Sequence, residues 1–419
     1  MQTVTSSSAA ARRRPHAVPG SEPHQRHRRA SRIRRWSTFT EWWHFAAEYL
    51  VMLPVGAAIA LVWANTDPER YFTVTGALVF WVRDLGMVLF FGLITKEVVE
   101  ATAAGGVLHP WRRAAAPTVA SLGLVLTPLA LFAAVVPWLD EPRVLQGWPA
   151  VFATDLAFGY FAIRVIFGAH PAVAFFLLLA LSANALGILA FAVLGSSPAV
   201  NPALALGFMT AALAVAGLLR TARVTRASPY VIGAGTLSWC ALYFGGLGPA
   251  FALVPILPFV PHPRRDRGFF AETPSGAHDP LSRFERWARH PTQVVLLLFG
   301  IVAAGVPLRV LDWGTLGLPL ATLIGKPIGL LIGAAIARAC GLSLPARIGW
   351  RELVVLGLVA ASGFTVALFF AAAAVGPGPT LSALKMGALV SAGAALAAAA
   401  AAVLLRVGRL SGGLTSHTS

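Results

Sequence analysis

Apolar blocks about as long as a bilayer crossing follow one another from residue 46 to residue 405, with only brief polar interruptions. A helix needs about 20 predominantly apolar residues to cross the hydrocarbon. On that measure the spans fall at 46–65, 79–101, 113–138, 147–166, 171–194, 199–219, 229–243, 246–261, 293–309, 314–338, 352–374 and 382–405. The pattern predicts an all-α polytopic membrane protein of about twelve transmembrane helices. The seventh and eighth spans are short, because Gly245, Gly246 and Pro249 crowd their junction. One long loop, about 262–292, is rich in Arg, Pro, His and Gly and reads as a linker. Composition agrees, since 57% of the 419 residues are hydrophobic and 12% charged, against about a quarter charged in an ordinary globular domain.

A formal charge of +16 would suggest nucleic acid in a soluble protein, so the placement of the charges decides what it means. Nine arginines between Arg12 and Arg35 stand against one acid, Glu22, and residues 1–45 read as a disordered basic cytoplasmic tail that lies on anionic lipid. Further along, the loops and adjoining span ends after spans 2, 4, 6, 8 and 10 carry two, one, three, six and three arginines. Those on the other side carry Arg70, Arg83, Arg143 and Arg309. Basic loops stay in the cytoplasm, so both termini are expected inside, with a transmembrane domain over 46–408 and a short tail at 409–419. The excess charge is a topology signal, and no nucleic-acid partner is expected. Cys240 and Cys340 form no disulfide or metal pattern and read as small buried residues.

Ionisable side chains inside the bilayer are costly and mark candidate sites. Of 17 acids, only Asp155 falls in the middle of a span, and of the lysines only Lys326 does. Asp155 lies in Ala153-Thr154-Asp155-Leu156-Ala157-Phe158-Gly159, where Thr154 competes for backbone hydrogen bonds and helps to break a helix. Lys326 lies in Gly325-Lys326-Pro327-Ile328-Gly329, where the proline removes a donor and the glycines permit close packing. A second break is expected at Ser362-Gly363-Phe364-Thr365. Two interrupted helices in different halves point to a transporter of inverted repeats with its site at the midplane. Asp155 and Lys326 there can neutralise the partial charges of half-helix ends. Lys96 and Glu97 are expected as a solvated pair at the cytoplasmic mouth, and His170, His278 and His290 as loop histidines. No span carries a His-Glu-x-x-His pattern or a nucleophile with a nearby base, and no Lys-Ser/Thr follows Gly376-Pro377-Gly378-Pro379 to make it a phosphate cradle. An enzyme and a cofactor are therefore not expected.

At these residues the chain resembles the NhaA-type sodium/proton antiporters over about 50–408. The resemblance is carried by Trp63-Ala64-Asn65, by Phe90-Phe91 with Glu97, and by Gly147-Trp148 leading to Ala153-Thr154-Asp155-Leu156-Ala157-Phe158. His290-Pro291, Gly325-Lys326-Pro327 and Gly363-Phe364-Thr365 follow in order. It implies an NhaA-like fold whose broken helices cross near the midplane, and exchange of Na+ or Li+ for protons across the inner membrane. Membrane lipids, the cation and protons are the implied partners, with a homodimer left open. The same resemblance exposes a departure. The family carries paired aspartates in span 5, where this chain has Asn184 and Ala185. A span 8 histidine becomes Gly248 and a span 9 asparagine becomes Ala303.

The departure bears on chemistry. A carboxylate can both bind a cation and take its proton, whereas Asn184 offers only a carbonyl oxygen and Ala185 neither. Lys326 also loses the carboxylate partner that the family would supply. If the chain exchanges ions, Asp155 is the expected ligand and proton carrier, with Thr154, Asn184 and Thr365 as neutral oxygens and Lys326 as balancing charge or second proton carrier. Two other readings stay open on sequence: a same-fold transporter with altered substrate or coupling, such as an anion drawn by Lys326, and a scaffold that does not transport.

Overall fold

The computed structural model describes residues 52–103, 111–139, 142–168, 170–194, 201–261, 279–308, 313–342, 344 and 348–409. The basic tail, most of the expected long loop and His278 lie outside the described residues. The first helices are α1 (Met52–Thr66), α2 (Pro68–Val79) and α3 (Met87–Thr102), the last two joined by a π-helical stretch, Phe80–Gly86. Next come α4 (Trp111–Val135), α5 (Trp148–Phe152), α6 (Leu156–Phe167), α7 (Ala172–Leu194), α8 (Pro202–Thr221) and α9 (Gly235–Phe244). The second half holds α10 (Pro280–Ala303), α11 (Trp313–Ala339), α12 (Trp350–Ala360), α13 (Phe364–Ala374), α14 (Pro379–Ser391) and α15 (Ala394–Leu404).

Three of these helices start the same way. Asp67, Asn201 and Asp279 each precede a proline and accept a hydrogen bond from the backbone N–H three residues on, at 3.3, 3.1 and 3.0 Å. An oxygen at the cap position and a proline in the first turn satisfy the end of a helix that has no earlier carbonyl to use.

The all-α membrane architecture matches expectation, but few of the spans are single straight helices. Among the described residues five stretches are long and apolar enough to cross a membrane: 68–97, 115–138, 202–221, 314–339 and 379–404. A sixth results when α12 and α13, bent by 48° at their junction, are counted together. Three sequence expectations need correction. Residues 249–259 fold as short 3-10 segments and turns, because Pro249, Pro255 and Pro258 interrupt any α-helical ladder there. The expected linker is helical from Pro280, so Glu285 and His290 lie within α10. Cys240 is half-buried and Cys340 exposed, against the expectation that both are buried.

One order of elements occurs twice: a helix, a broken helix, a helix. It is α4, α5/α6 and α7 in the first half, and α11, α12/α13 and α14 in the second. The leading helices, α4 and α11, pack along each other. Their approach is limited only by backbone, since a Cβ on Gly329 would collide with the carbonyl oxygen of Gly123 and the reverse also holds. Without a hydrophobic driving force between helices in lipid, such small-residue contact supplies the packing. It also places Lys326, one turn away on α11, against the two breaks.

Gly329→Leu is expected to force α4 and α11 apart and to destabilise the fold by about 3 kcal/mol, read as a lower melting temperature of the solubilised protein. Gly207→Leu, at a position where a Cβ would meet nothing within 4 Å, is the matched control and leaves melting unchanged.

Candidate functional site

The two breaks lie against each other. In the first, Ala153, Thr154 and Asp155 separate α5 from α6, and in the second, Ala361, Ser362 and Gly363 separate α12 from α13. Asp155 N–H donates to Ser362 O at 2.9 Å, tying one break to the other. Gly363 makes room, since a Cβ there would lie 2.8 Å from Ala153 O. Thr154 and Gly363 thus sit at the breaks where the sequence expects them.

Four half-helix ends converge here, and each leaves orphan backbone groups in a region with no water to satisfy them. The two N-terminal ends are met by one acid. Asp155 Oδ1 accepts from Phe158 N at 2.9 Å at the start of α6, and its Oδ2 accepts from Thr365 N at 2.9 Å at the start of α13. The hydroxyl of Thr365 donates to the same Oδ2. The two C-terminal ends are met by one base. Lys326 Nζ donates to Ala153 O at the end of α5 and to Ala360 O at the end of α12, the latter at 2.9 Å. Its third bond, 3.2 Å, goes to Thr154 Oγ1. Asp155 is 2% exposed and Lys326 fully buried. Like ends converging from two helices is what an antiparallel crossing requires, and each charge has the sign that its pair of helix dipoles favours.

Asn184 on α7 holds the same break from the other side. Its Oδ1 accepts from Thr154 N at 3.1 Å and its Nδ2 donates to Thr154 O at 2.8 Å. Both halves of the amide are therefore committed to one residue's backbone, which a carboxylate could not do because it lacks a donor. The loss of a carboxylate partner for Lys326 leaves the ammonium bonded to three neutral oxygens.

Beyond Asn184 lies a cavity of about 640 Å³. Asn184, Ala185 and Gly248, three of the positions where the chain departs from the family pattern, all line it. The rest of the wall is apolar apart from Thr95, whose hydroxyl donates to Phe91 O within its own helix. Ala303, the fourth departure, is buried on α10.

The structure brings Asp155, Thr154, Lys326, Asn184, Thr365 and Gly363 together. Lys96 and Glu97 belong to a separate cluster, and it is not solvated. Lys96 Nζ lies 3.1 Å from Glu97 Oε1, 2.8 Å from Glu100 Oε2 and 2.9 Å from Glu285 Oε2, with Arg289 3.9 Å from Glu285. Lys96, Glu97 and Glu285 are buried. The sequence reading missed this because it left 279–292 as linker; the Asp279-Pro280 cap was the signal that a helix begins there and carries Glu285 inward. Lys96→Met would leave three carboxylates facing one another with their central cation gone. Breaking such a buried network costs about 3–5 kcal/mol, so the melting temperature is expected to fall sharply, and adding Glu97→Gln should restore part of the loss.

Comparison with known proteins identifies the family. Residues 43–405 match the family described as Na+/H+ antiporter 1. The chain is 38% identical over 373 residues to the Na(+)/H(+) antiporter NhaA of Geobacter metallireducens, covering 87% of this chain and 97% of that protein. It is 38% identical over 376 residues to the NhaA antiporter of Desulfitobacterium hafniense, covering 87% and 96%. It is 36% identical over 416 residues to that of Jannaschia sp., covering 88% and 97%. A family match over most of the chain, two broken helices that cross, and an acid and a base at their crossing lead to one conclusion: the chain belongs to the Na+/H+ antiporter 1 family.

Proposed function

We propose that this chain is a secondary active transporter that exchanges a monovalent cation, Na+ or Li+, for protons across a bacterial-type inner membrane, for pH and sodium homeostasis. Both termini lie in the cytoplasm on this reading, as the arginine asymmetry of the loops supports. The names of the relatives support the exchange. The observation that carries it in this chain is the crossing, where a single buried carboxylate accepts from two helix N-termini and a threonine hydroxyl, and a single buried ammonium donates to two helix C-termini.

Asp155 is the cation ligand and the proton carrier. Its carboxylate supplies the negative charge that draws a cation out of water, and the same charge accepts a proton when the cation leaves. Thr365 Oγ1 and Thr154 Oγ1 supply neutral oxygens nearby, and Thr154 is aligned by Asn184. Lys326 supplies the counter-charge of two helix C-termini. With Asn184 and Ala185 where the resemblance implies carboxylates, the crossing holds one acid, and on this reading one cation exchanges for one proton. On this reading the cavity that ends at Asn184 is the approach of the ion to the crossing. A second reading, the same fold with an altered substrate or coupling, is favoured by the apolar wall of that cavity.

The test is ΔpH-driven exchange in proteoliposomes with Na+, Li+ and K+ added in turn. Exchange with Na+ or Li+ is expected in the wild type, and Asp155→Asn should lower it by about two orders of magnitude or more, as loss of a group that acts directly in the coupled step does. Folded wild-type protein that exchanges none of the three cations would sink the antiporter reading and leave altered substrate or coupling as the reading to pursue.

A further inference from the structure

We propose that the hydroxyl of Ser362 is a further oxygen ligand for the transported alkali cation. The inference rests on the exchange reading above and deepens it, since neither the family pattern nor the sequence reading gives Ser362 more than a place in the helix break.

Ser362 is fully buried, and its Oγ has no hydrogen-bond partner. Its backbone is completely used: Ser362 N donates to Val359 O at 3.1 Å, and Ser362 O accepts from Asp155 N at 2.9 Å. A serine at the end of a helix ordinarily returns its hydroxyl to a carbonyl one turn back. This one does not, and nearly every buried polar group in a folded protein finds a partner, a water or an ion. The buried Ser362 hydroxyl thus keeps its oxygen lone pairs free for a ligand.

The location says which ligand fits. Ser362 lies in the break that is tied to the Asp155 break by one backbone bond, Asp155 N–H to Ser362 O, and the next turn of the same break supplies Thr365. A small hard cation favours oxygen donors and needs several to replace its water. The other neutral oxygens of the crossing are partly committed. Asn184 is occupied with both backbone groups of Thr154, Thr154 Oγ1 receives Lys326, and Ala185 has no oxygen to give. Ser362 is the one side-chain oxygen at the crossing whose bonding capacity is wholly unspent. It offsets, with a neutral donor, part of the coordination that the missing span 5 carboxylates would supply, and it does so without adding a titrating group.

The experiment compares wild type, Ser362→Ala, Ser362→Cys and Ser362→Thr in ΔpH-driven exchange, reading the half-saturating concentrations of Na+ and Li+. Na+-dependent thermal stabilisation of each purified protein, against choline, is read in parallel. Removing the oxygen is expected to raise half-saturating Na+ about fivefold or more and to shrink the Na+-dependent thermal shift, with the rate at saturating Na+ within about twofold of wild type. Ser362→Thr keeps the oxygen and should stay near wild type. Ser362→Cys keeps the size but offers a poor alkali ligand, so it should follow Ser362→Ala and gives the answer if the alanine variant does not fold. Unchanged half-saturation and thermal shift in Ser362→Ala and Ser362→Cys, with active wild type in the same vesicles, would overturn the role of Ser362 and leave the exchange reading intact. Wild type with neither exchange nor a Na+-dependent thermal shift would overturn both.

Discussion

A broken helix inside a bilayer leaves peptide groups that water cannot reach, and the rest of this structure depends on how those groups are satisfied. Four half-helix ends meet at one crossing, and one carboxylate and one ammonium serve all four. Asp155 takes both N-terminal ends and Lys326 both C-terminal ends. An isolated charge at this depth costs about 2.5–3.5 kcal/mol or more, while a charge at a helix end gains up to about 2 kcal/mol. Each side chain here serves two helix ends, so the pair can be kept in the membrane interior where either alone would be expelled or neutralised. The close approach of α4 to α11 at Gly123 and Gly329 follows from the same constraint, because Lys326 must reach both breaks from α11.

Function grows out of this arrangement rather than beside it. On the proposed reading, a cation that approaches Asp155 competes with two helix N-termini and the Thr365 hydroxyl for the same two oxygens, which couples binding to helix position. Asn184 spends its amide on Thr154 and keeps the break aligned, while Ala185 opens onto the apolar cavity. Among the described residues the crossing holds one acid, Asp155.

Much of this was legible in the sequence, because costly residues are conspicuous in an apolar background. Asp155 and Lys326 stood out as the mid-span acid and base, and the two breaks could be read from Thr154 and from Ser362-Gly363. What was not legible depended on contacts between distant segments. Backbone carbonyls such as Ala153 O and Ala360 O have no sequence signature, so the shared capping by Lys326 could be anticipated in kind but not in partner. The dual bond of Asn184 to Thr154 was hidden for the same reason. Lys96 and Glu97 were misjudged as solvated because Glu285 lies almost 190 positions away, on a helix whose amphipathic start looks like a polar loop. The eighth span was misread because hydropathy registers apolar character but not the prolines that prevent a helix.

The proposed exchange rests on one carboxylate, Asp155, balanced by Lys326. The most direct measurement is the response of Na+/H+ exchange in proteoliposomes to a membrane potential set by K+ and valinomycin. A cycle that moves one net charge would be biased by about 2.3 kcal/mol at about 100 mV, roughly fiftyfold in its equilibrium. One cation for one proton moves no net charge, so the account predicts exchange that reaches the same end point at zero and at about 100 mV of either sign. An end point displaced by the imposed potential would contradict it, and would mean that a second proton, most simply from Lys326, travels with the first.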